Sequence, residues 1–169
     1  FIGCSRTDNL VGTVLDNPLA APEFSLQNQF GNTVSISDYR GRVVVLTFLY
    51  SHCEDICPIV SNYFQQVYQL LGDDTDKVAF VIVSVDPKHD TIENVYKYSD
   101  DRGMLHKWNY LVGDEGQLKP VWGSYYIDPT LSQNTEHPDN INGDSTSSAT
   151  VDSFRDSISV GYEIIHSAP

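Results

Sequence analysis

Basic residues are scarce in this chain of 169 residues, in which 10 Lys and Arg stand against 23 Asp and Glu. The formal net charge of −13 at pH 7 follows from that imbalance. A nucleic-acid partner requires Lys and Arg side chains that neutralise phosphates, so the composition argues strongly against such a partner. The acidic balance fits a well-solvated surface that can bind cations or basic protein faces.

Long apolar runs are also missing. The sequence contains no stretch of 18 or more apolar residues, the length that is typical of a transmembrane helix. Its length predicts one domain, and its 40% hydrophobic content is enough for an ordinary core.

Cysteine is rare, with three residues in total, and the first of them stands near the N-terminus. The segment Phe1–Ser5, which contains Cys4, resembles the end of a bacterial lipoprotein signal peptide, where the cysteine is lipidated after cleavage. This resemblance predicts that residues 1–20 form a flexible tether and that the domain at 21–169 lies outside the cytoplasm, where thiol pairs are usually disulfides or metal ligands. The alternative is that Cys4 is an ordinary cysteine in a disordered arm.

The pattern of apolar residues predicts alternating strands and helices. Short strands are expected within 21–32 and at 33–36, and longer buried strands at 43–50 and 78–85. Helices are predicted from Pro58 to about residue 71, at 91–102 and at 115–126, where Pro120 must kink the helix or mark its start. A further strand is expected at 109–113, then a polar insertion at about 128–157 and a last strand at 158–165. This order is typical of an α/β fold with parallel strands.

The other two cysteines, Cys53 and Cys57, lie in the stretch YSHCEDICPIV, between the strand at 43–50 and the following helix. Ligand sites in open α/β sheets favour that edge, and backbone N–H groups at a helix start lower a thiol pKa. The four-residue spacing places both sulfurs on one side of the first helical turn. Three interpretations remain open: a structural disulfide or a pair of core cysteines, a thiol redox centre, and a soft-metal site that needs a third ligand.

Five histidines are candidates for that third ligand. His52 adjoins Cys53, but on a strand end its side chain should point the other way. Polar surroundings predict solvent exposure for three others: His89, His106 and His137. His166 follows the strand predicted at 158–165 and could face the same sheet edge as the cysteines, although a hydrogen-bonded histidine at a strand end is the alternative.

Several segments together resemble the Sco/SenC family of copper-delivery proteins. They are VVVLTFLYSHCEDICPIVSNYFQQV, with its Cys-x-x-x-Cys-Pro motif, VIVSVDPKHDTIENVYKY with its Asp-Pro-x-x-Asp-Thr motif, WNYLVGD, and VGYEIIHSAP with its distal histidine. The resemblance covers residues 22–169 except for the insertion. It implies a thioredoxin-like fold, with a central mixed sheet flanked by helices.

The resemblance also implies a function. Cys53, Cys57 and His166 become ligands of copper, either Cu(I) or Cu(II), which an extracytoplasmic, lipid-anchored chaperone delivers to the cytochrome c oxidase subunit that carries the dinuclear copper site. The cysteines must be reduced first, so a thiol reductant is a further partner. Asp90 is expected near the ligands or as the cap of the next helix, and the capping role is the favoured one.

A second function uses the same cysteines. The pair could act as a thiol–disulfide oxidoreductase that keeps the copper-ligand cysteines of the oxidase subunit reduced. A zinc site would require a fourth protein ligand, for which the sequence offers no clear candidate.

The chain departs from the family pattern at three places. Glu54 stands where the family commonly has proline, and the carboxylates of Glu54 and Asp55 are expected to raise the pKa of the adjacent thiols. His89 stands where the family often has arginine. A C-terminal hairpin and helix follow the distal histidine in the family, whereas this sequence ends at Pro169, so we expect it to be a fragment of a longer chain.

Overall fold

The computed structural model of the protein describes residues 19–130. Its strands are β1 (Ser25–Gln27), β2 (Thr33–Ser35), β3 (Val43–Leu49), β4 (Val78–Ser84) and β5 (Asn109–Leu111). Its α-helices are α1 (Ile56–Leu71), α2 (Ile92–Asp101) and α3 (Glu115–Ser124), and short 3-10 helices span Ile36–Tyr39 and Gly72–Lys77. Cys4, the strand predicted at 158–165, His166 and most of the insertion predicted at 128–157 lie outside the described residues.

A parallel sheet in the order β3-β4-β5 forms the centre of the fold. Strands β3 and β4 pair along their whole length, from Val43 opposite Val78 to Leu49 opposite Ser84. Strands β1 and β2 form an antiparallel hairpin, which is joined to the end of β5 by two backbone hydrogen bonds between Gln27 and Val112. The α/β prediction is confirmed, and the carboxyl ends of β3 and β4 meet at one edge of the sheet.

Strand β4 is buried on both faces, which explains its nearly continuous apolar sequence. Alternate side chains point to opposite faces, so β4 contributes to two separate cores. One core includes Ala79, Val81 and Val83 of β4 with Leu118 and Trp122 of α3. The other includes Phe80 and Ile82 of β4, Phe64 of α1, Val95 and Tyr98 of α2, and both cysteines of the Cys-x-x-x-Cys motif. Each fully buried large side chain contributes about 1.5–3 kcal/mol, so the second core holds α1 firmly against the sheet.

Helix α1 begins two residues earlier than predicted. Asp55 is its N-cap residue and Ile56 is its first helical residue, so Pro58 occupies the third helical position. A proline is tolerated there because the N–H groups of the first turn have no partner within the helix. Gly72 follows the last helical residue with φ of 52°, a left-handed conformation that glycine adopts without a steric cost.

The start of α2 corrects one further expectation, and the start of α3 at Glu115 agrees with the range predicted for that helix. Thr91, and not Asp90, caps α2, because the Thr91 side chain accepts a hydrogen bond from the backbone N–H of Asn94. In α3, Asp114 and Gln117 form a reciprocal capping box, which fixes the start of the helix five residues before Pro120. None of the helices within 19–130 has the length and apolarity needed to cross a bilayer.

Candidate metal-binding and redox site

Cys53 and Cys57 lie at the junction between the end of β3 and the start of α1. Cys53 is in the loop after the strand and Cys57 is in the first turn of the helix. Their exposed fractions are 7% and 2%, and both residues belong to the core that packs α1 and α2 on the sheet. Both are free thiols. The prediction that the fold places this pair at the carboxyl edge of a buried strand is therefore confirmed.

The two sulfurs interact directly. The backbone N–H of Cys57 donates to Sγ of Cys53 at 3.4 Å, and the Cys57 side chain also hydrogen-bonds to that sulfur. Further donors to the Cys53 sulfur are the Tyr50 hydroxyl and the backbone N–H of Asp55. The Cys53 sulfur thus accepts several hydrogen bonds, and the Cys57 side chain donates one of them.

This asymmetry divides the pair into a thiolate and a thiol. Burial opposes ionisation of Cys53, but the hydrogen bonds from Cys57, Tyr50 and Asp55 outweigh it and lower the pKa of Cys53 below its ordinary value. Burial raises the pKa of Cys57, and its hydrogen bond to the Cys53 sulfur raises it further. The first negative charge on the pair therefore resides on Cys53.

The acidic neighbours do not decide the ionisation of Cys53. Glu54 and Asp55 were expected to raise the pKa of both adjacent thiols. The pKa of Cys57 is raised, chiefly by burial, but that of Cys53 is lowered, so the expected direction fails at Cys53. Both acidic residues are exposed, where water screens their charge, whereas the backbone N–H of Asp55 contacts the Cys53 sulfur directly. The direct hydrogen bond prevails over the screened charge.

Asp90 ties the loop before the cysteines to the core of the sheet. It is 3% exposed, and its Oδ1 accepts the backbone N–H of Ser51 at 2.9 Å. Its Oδ2 accepts the Ser84 hydroxyl at 2.6 Å and the Tyr110 hydroxyl at 3.1 Å. A buried carboxylate with three donors is a fixed positioning group, and its negative charge adds to the causes that raise the pKa of Cys57.

The described histidines fall into two places. His106 is exposed and stacks on Phe30 with ring centroids 5.2 Å apart, as expected for a surface residue. His52 and His89, also exposed, contact each other and the Asp86 carboxylate. The sequence patterns considered above did not predict this cluster, although one signal was present: residues that follow two adjacent parallel strands meet at the same edge of the sheet.

Two predicted site residues, His166 and Cys4, lie outside the described residues 19–130. Within 19–130, the pair of Cys53 and Cys57 supplies two soft sulfur donors, of which one favours the thiolate form that metals bind. Such donors suit Cu(I), and the same pair can also carry out thiol–disulfide exchange.

Comparison with known sequences gives a consistent family match. The sequence profile described as SCO1/SenC matches residues 13–154. The SCO1 protein homolog of Bacillus subtilis (strain 168) is 29% identical over 91 residues, which are 53% of this chain and 47% of that protein. The chain thus spans about half the length of the first relatives that it matches.

Solved structures give the same assignment. ScoI of Bradyrhizobium japonicum with copper bound has a TM-score of 0.59 at 30% identity, covering 64% of this chain and 68% of that one. A SCO1/SenC family lipoprotein of Bacillus anthracis str. Ames has a TM-score of 0.58 at 25% identity, covering 68% and 69%. The thioredoxin domain of a thiol-disulfide oxidoreductase of Bacteroides vulgatus matches with a TM-score of 0.55 at 24% identity, covering 68% and 76%. The fold is therefore thioredoxin-like.

Proposed function

The chain belongs to the SCO1/SenC family, and we propose that it is a copper chaperone that carries copper on Cys53, Cys57 and His166. The observation that carries this proposal is the pair of free thiols at the mouth of α1, with the thiolate favoured on Cys53. The copper-bound state of the similar ScoI protein supports copper as the cargo. Members of the Sco family are cytochrome c oxidase assembly proteins, which supports the oxidase subunit with the dinuclear copper site as the recipient.

The donor set suits transfer of the metal. Two thiolates and one imidazole provide soft and borderline ligands, which Cu(I) accepts in a three-ligand arrangement, and Cu(II) would need an added donor. A three-ligand site leaves room for a ligand of the recipient to bind before the donor ligands leave. Oxidation of Cys53 and Cys57 to a disulfide removes two of the three ligands, so loading requires a thiol reductant.

Asp90 is a positioning residue in this proposal. Its carboxylate accepts a hydrogen bond from the backbone N–H of Ser51, two residues before Cys53. The hydroxyl groups of Ser84 and Tyr110 donate to the same carboxylate and fix its position. Ligands whose supporting hydrogen bonds are fixed keep their orientation when the metal is exchanged. Asp90 therefore limits the movement of the loop that carries the first cysteine.

The proposed location is outside the cytoplasm, at the outer face of the cell membrane. A lipid on Cys4 would attach the domain through the tether formed by residues 1–20. The resemblance of Phe1–Ser5 to a lipoprotein signal supports this placement, and the similar Bacillus anthracis protein is a family lipoprotein. Incorporation of a labelled fatty acid that is lost in Cys4→Ser tests the anchor.

A second candidate function is thiol–disulfide reduction of the copper-ligand cysteines of the oxidase subunit. The specific observation that favours it is the opposite direction of the two pKa shifts, which leaves one sulfur as a nucleophile and its neighbour as a proton donor. This activity needs the dithiol but does not need His166.

Replacement of His166 separates the two functions. We expect His166→Ala in the reduced chain to weaken Cu(I) binding at least about a hundredfold, because a lost ligand costs more than a lost supporting hydrogen bond, while dithiol exchange continues. His106→Ala, which removes an exposed histidine stacked on Phe30, is the matched control and should leave both properties unchanged.

Competition of the reduced chain with a chromophoric Cu(I) chelator measures the affinity, and X-ray absorption counts the ligands. Two sulfurs and one nitrogen around one copper are expected in the unaltered chain. Unchanged copper affinity in His166→Ala would refute the three-ligand proposal and leave the reductase function. Loss of dithiol exchange in that variant would contradict the separation of the two roles.

A further inference from the structure

Three potential metal ligands converge beside the cysteine pair, on His52, Asp86 and His89. Oδ2 of Asp86 lies 3.3 Å from Nε2 of His52 and 2.7 Å from Nδ1 of His89. The three ligand atoms all lie within 4.8 Å of one another, and the two imidazole rings have centroids 4.6 Å apart. Small side-chain rotations would bring all three atoms to one ion, because metal–ligand bonds of 2.0–2.2 Å allow ligand separations of roughly 3–3.5 Å.

The fold brings these residues together from two loops. His52 lies three residues after β3 and Asp86 two residues after β4, and the two strands are parallel neighbours in full register. His89 comes from the turn that begins at Asp86, in which the Asp90 backbone N–H donates to the Asp86 carbonyl at 2.9 Å. The cluster is therefore part of the sheet edge and not of a single flexible segment.

The carboxylate of Asp86 is oriented before any ion binds. Its Oδ1 accepts the backbone N–H of Lys88 at 3.1 Å and that of His89 at 3.3 Å. Its Oδ2, the atom that faces both imidazoles, is thereby held toward the open side of the cluster. The Asp86 side chain is 13% exposed, whereas those of His52 and His89 are 51% and 53% exposed. An ion would therefore bind to the oriented Oδ2 atom of Asp86 and would enter from solvent between the rings of His52 and His89.

The two loops are also tied to each other. Ser84 accepts the backbone N–H of Asp86 and donates to Asp90, and Asp90 accepts the backbone N–H of Ser51, beside His52. This chain of hydrogen bonds fixes the spacing of the two loops. A site whose ligands come from preset loops loses less conformational entropy when the ion binds.

We propose that His52, Asp86 and His89 form a second metal site, which takes a borderline divalent cation of the Zn²⁺ and Cu²⁺ class. Two imidazoles and one carboxylate match the preference of these ions, whereas the soft sulfur pair prefers Cu(I). The half-exposed rings leave a fourth position for water or for a ligand of another molecule. This inference is independent of the copper-carrier function, since it uses none of the three residues proposed for that site.

The test uses the full chain with the other strong ligands removed. Cys4→Ser, Cys53→Ser, Cys57→Ser and His166→Ala together form this background. Calorimetric titration with Zn²⁺ and the visible spectrum of added Co²⁺ report stoichiometry and ligand type. We expect one ion per chain and a Co²⁺ spectrum without sulfur charge-transfer bands.

Three variants in that background assign the site. His52→Ala and His89→Ala should each weaken Zn²⁺ binding at least about tenfold, since each removes one of three protein ligands. His106→Ala is the matched control and should leave the affinity unchanged. Undiminished Zn²⁺ affinity in both His52→Ala and His89→Ala would overturn the proposal, as would the absence of stoichiometric binding.

A second measurement does not depend on the folding of the cysteine-free background. The chain that retains Cys53 and Cys57 is oxidised to the disulfide, and the histidine ring signals are followed by NMR during a Zn²⁺ titration. We expect the signals of His52 and His89 to shift together with a 1:1 end point, and that of His106 to stay in place. A Zn²⁺-induced shift confined to other histidines would refute the second site even though the copper function could still hold.

Discussion

Replacing the buried carboxylate of Asp90 by an amide should destabilise the protein without unfolding it. The carboxylate accepts three hydrogen bonds, from the Ser51 backbone N–H, the Ser84 hydroxyl and the Tyr110 hydroxyl. In Asp90→Asn, the amide oxygen can retain the bond from Ser51. The amide nitrogen then faces the two hydroxyls, which can rotate and accept. Geometry is thus preserved, and the charge is removed.

The magnitude follows from the change in bond type. A hydrogen bond to a charged group contributes about 1.5–3 kcal/mol and a neutral one about 0.5–1.5 kcal/mol. Three weakened hydrogen bonds lower the free energy of unfolding by about 3 kcal/mol. The variant no longer has to bury a charge, and this offsets part of the loss. We therefore expect the free energy of unfolding to fall by about 2 kcal/mol, which is a large share of the stability of a typical domain.

Urea unfolding of the reduced protein, followed by Trp fluorescence, measures this change. The midpoint should fall at an unchanged slope, because the surface exposed on unfolding stays the same. Asp101→Asn, which removes an exposed carboxylate paired with Lys97, is the matched control and should leave the midpoint unchanged. A loss no larger in Asp90→Asn than in Asp101→Asn would refute the role assigned to the buried network. The same variant should lower the pKa of Cys57, since one cause that raises it is gone.

Two further predictions concern the thiols and the end of α1. Because the pKa of Cys53 is lowered and that of Cys57 is raised, substoichiometric iodoacetamide should modify Cys53 before Cys57. The rate of Cys53 modification should fall only when the pH drops through the lowered pKa of Cys53. Peptide mapping by mass spectrometry across pH checks this, and equal labelling of Cys53 and Cys57 would contradict it. Gly72→Ala should cost about 1 kcal/mol of stability, because φ at Gly72 is 52°. Gly123 lies inside α3 with open space around an added methyl group, so Gly123→Ala should gain up to about 1 kcal/mol in the same unfolding assay. A stabilising effect of Gly72→Ala would contradict the left-handed conformation.

The main elements of the fold were predictable because their patterns are local. The apolar runs at 43–50 and 78–85 predicted β3 and β4 to within one residue, since strands buried on both faces require continuous apolar sequence. The glycine after α1 marked its end for an equally local reason. The start of α1 was predicted two residues late, because a first helical turn tolerates proline at several positions and Pro58 is not its first residue. Pro120 left the start of α3 undecided, and the Asp114–Gln117 capping box fixes that start.

The sequence by itself determined which side chains could do chemistry. The position of Cys53 and Cys57 between a buried strand and a helix start predicts that both lie at the carboxyl edge of the sheet, although only Cys57 belongs to the helix and Cys53 lies in the loop before it. Only the tertiary structure decided which sulfur ionises, since that depends on donors from Tyr50 and the helix backbone that surround Cys53. Only the tertiary structure joined His52 to Asp86 and His89, because the pairing of β3 with β4 brings together loops more than 30 residues apart in the chain.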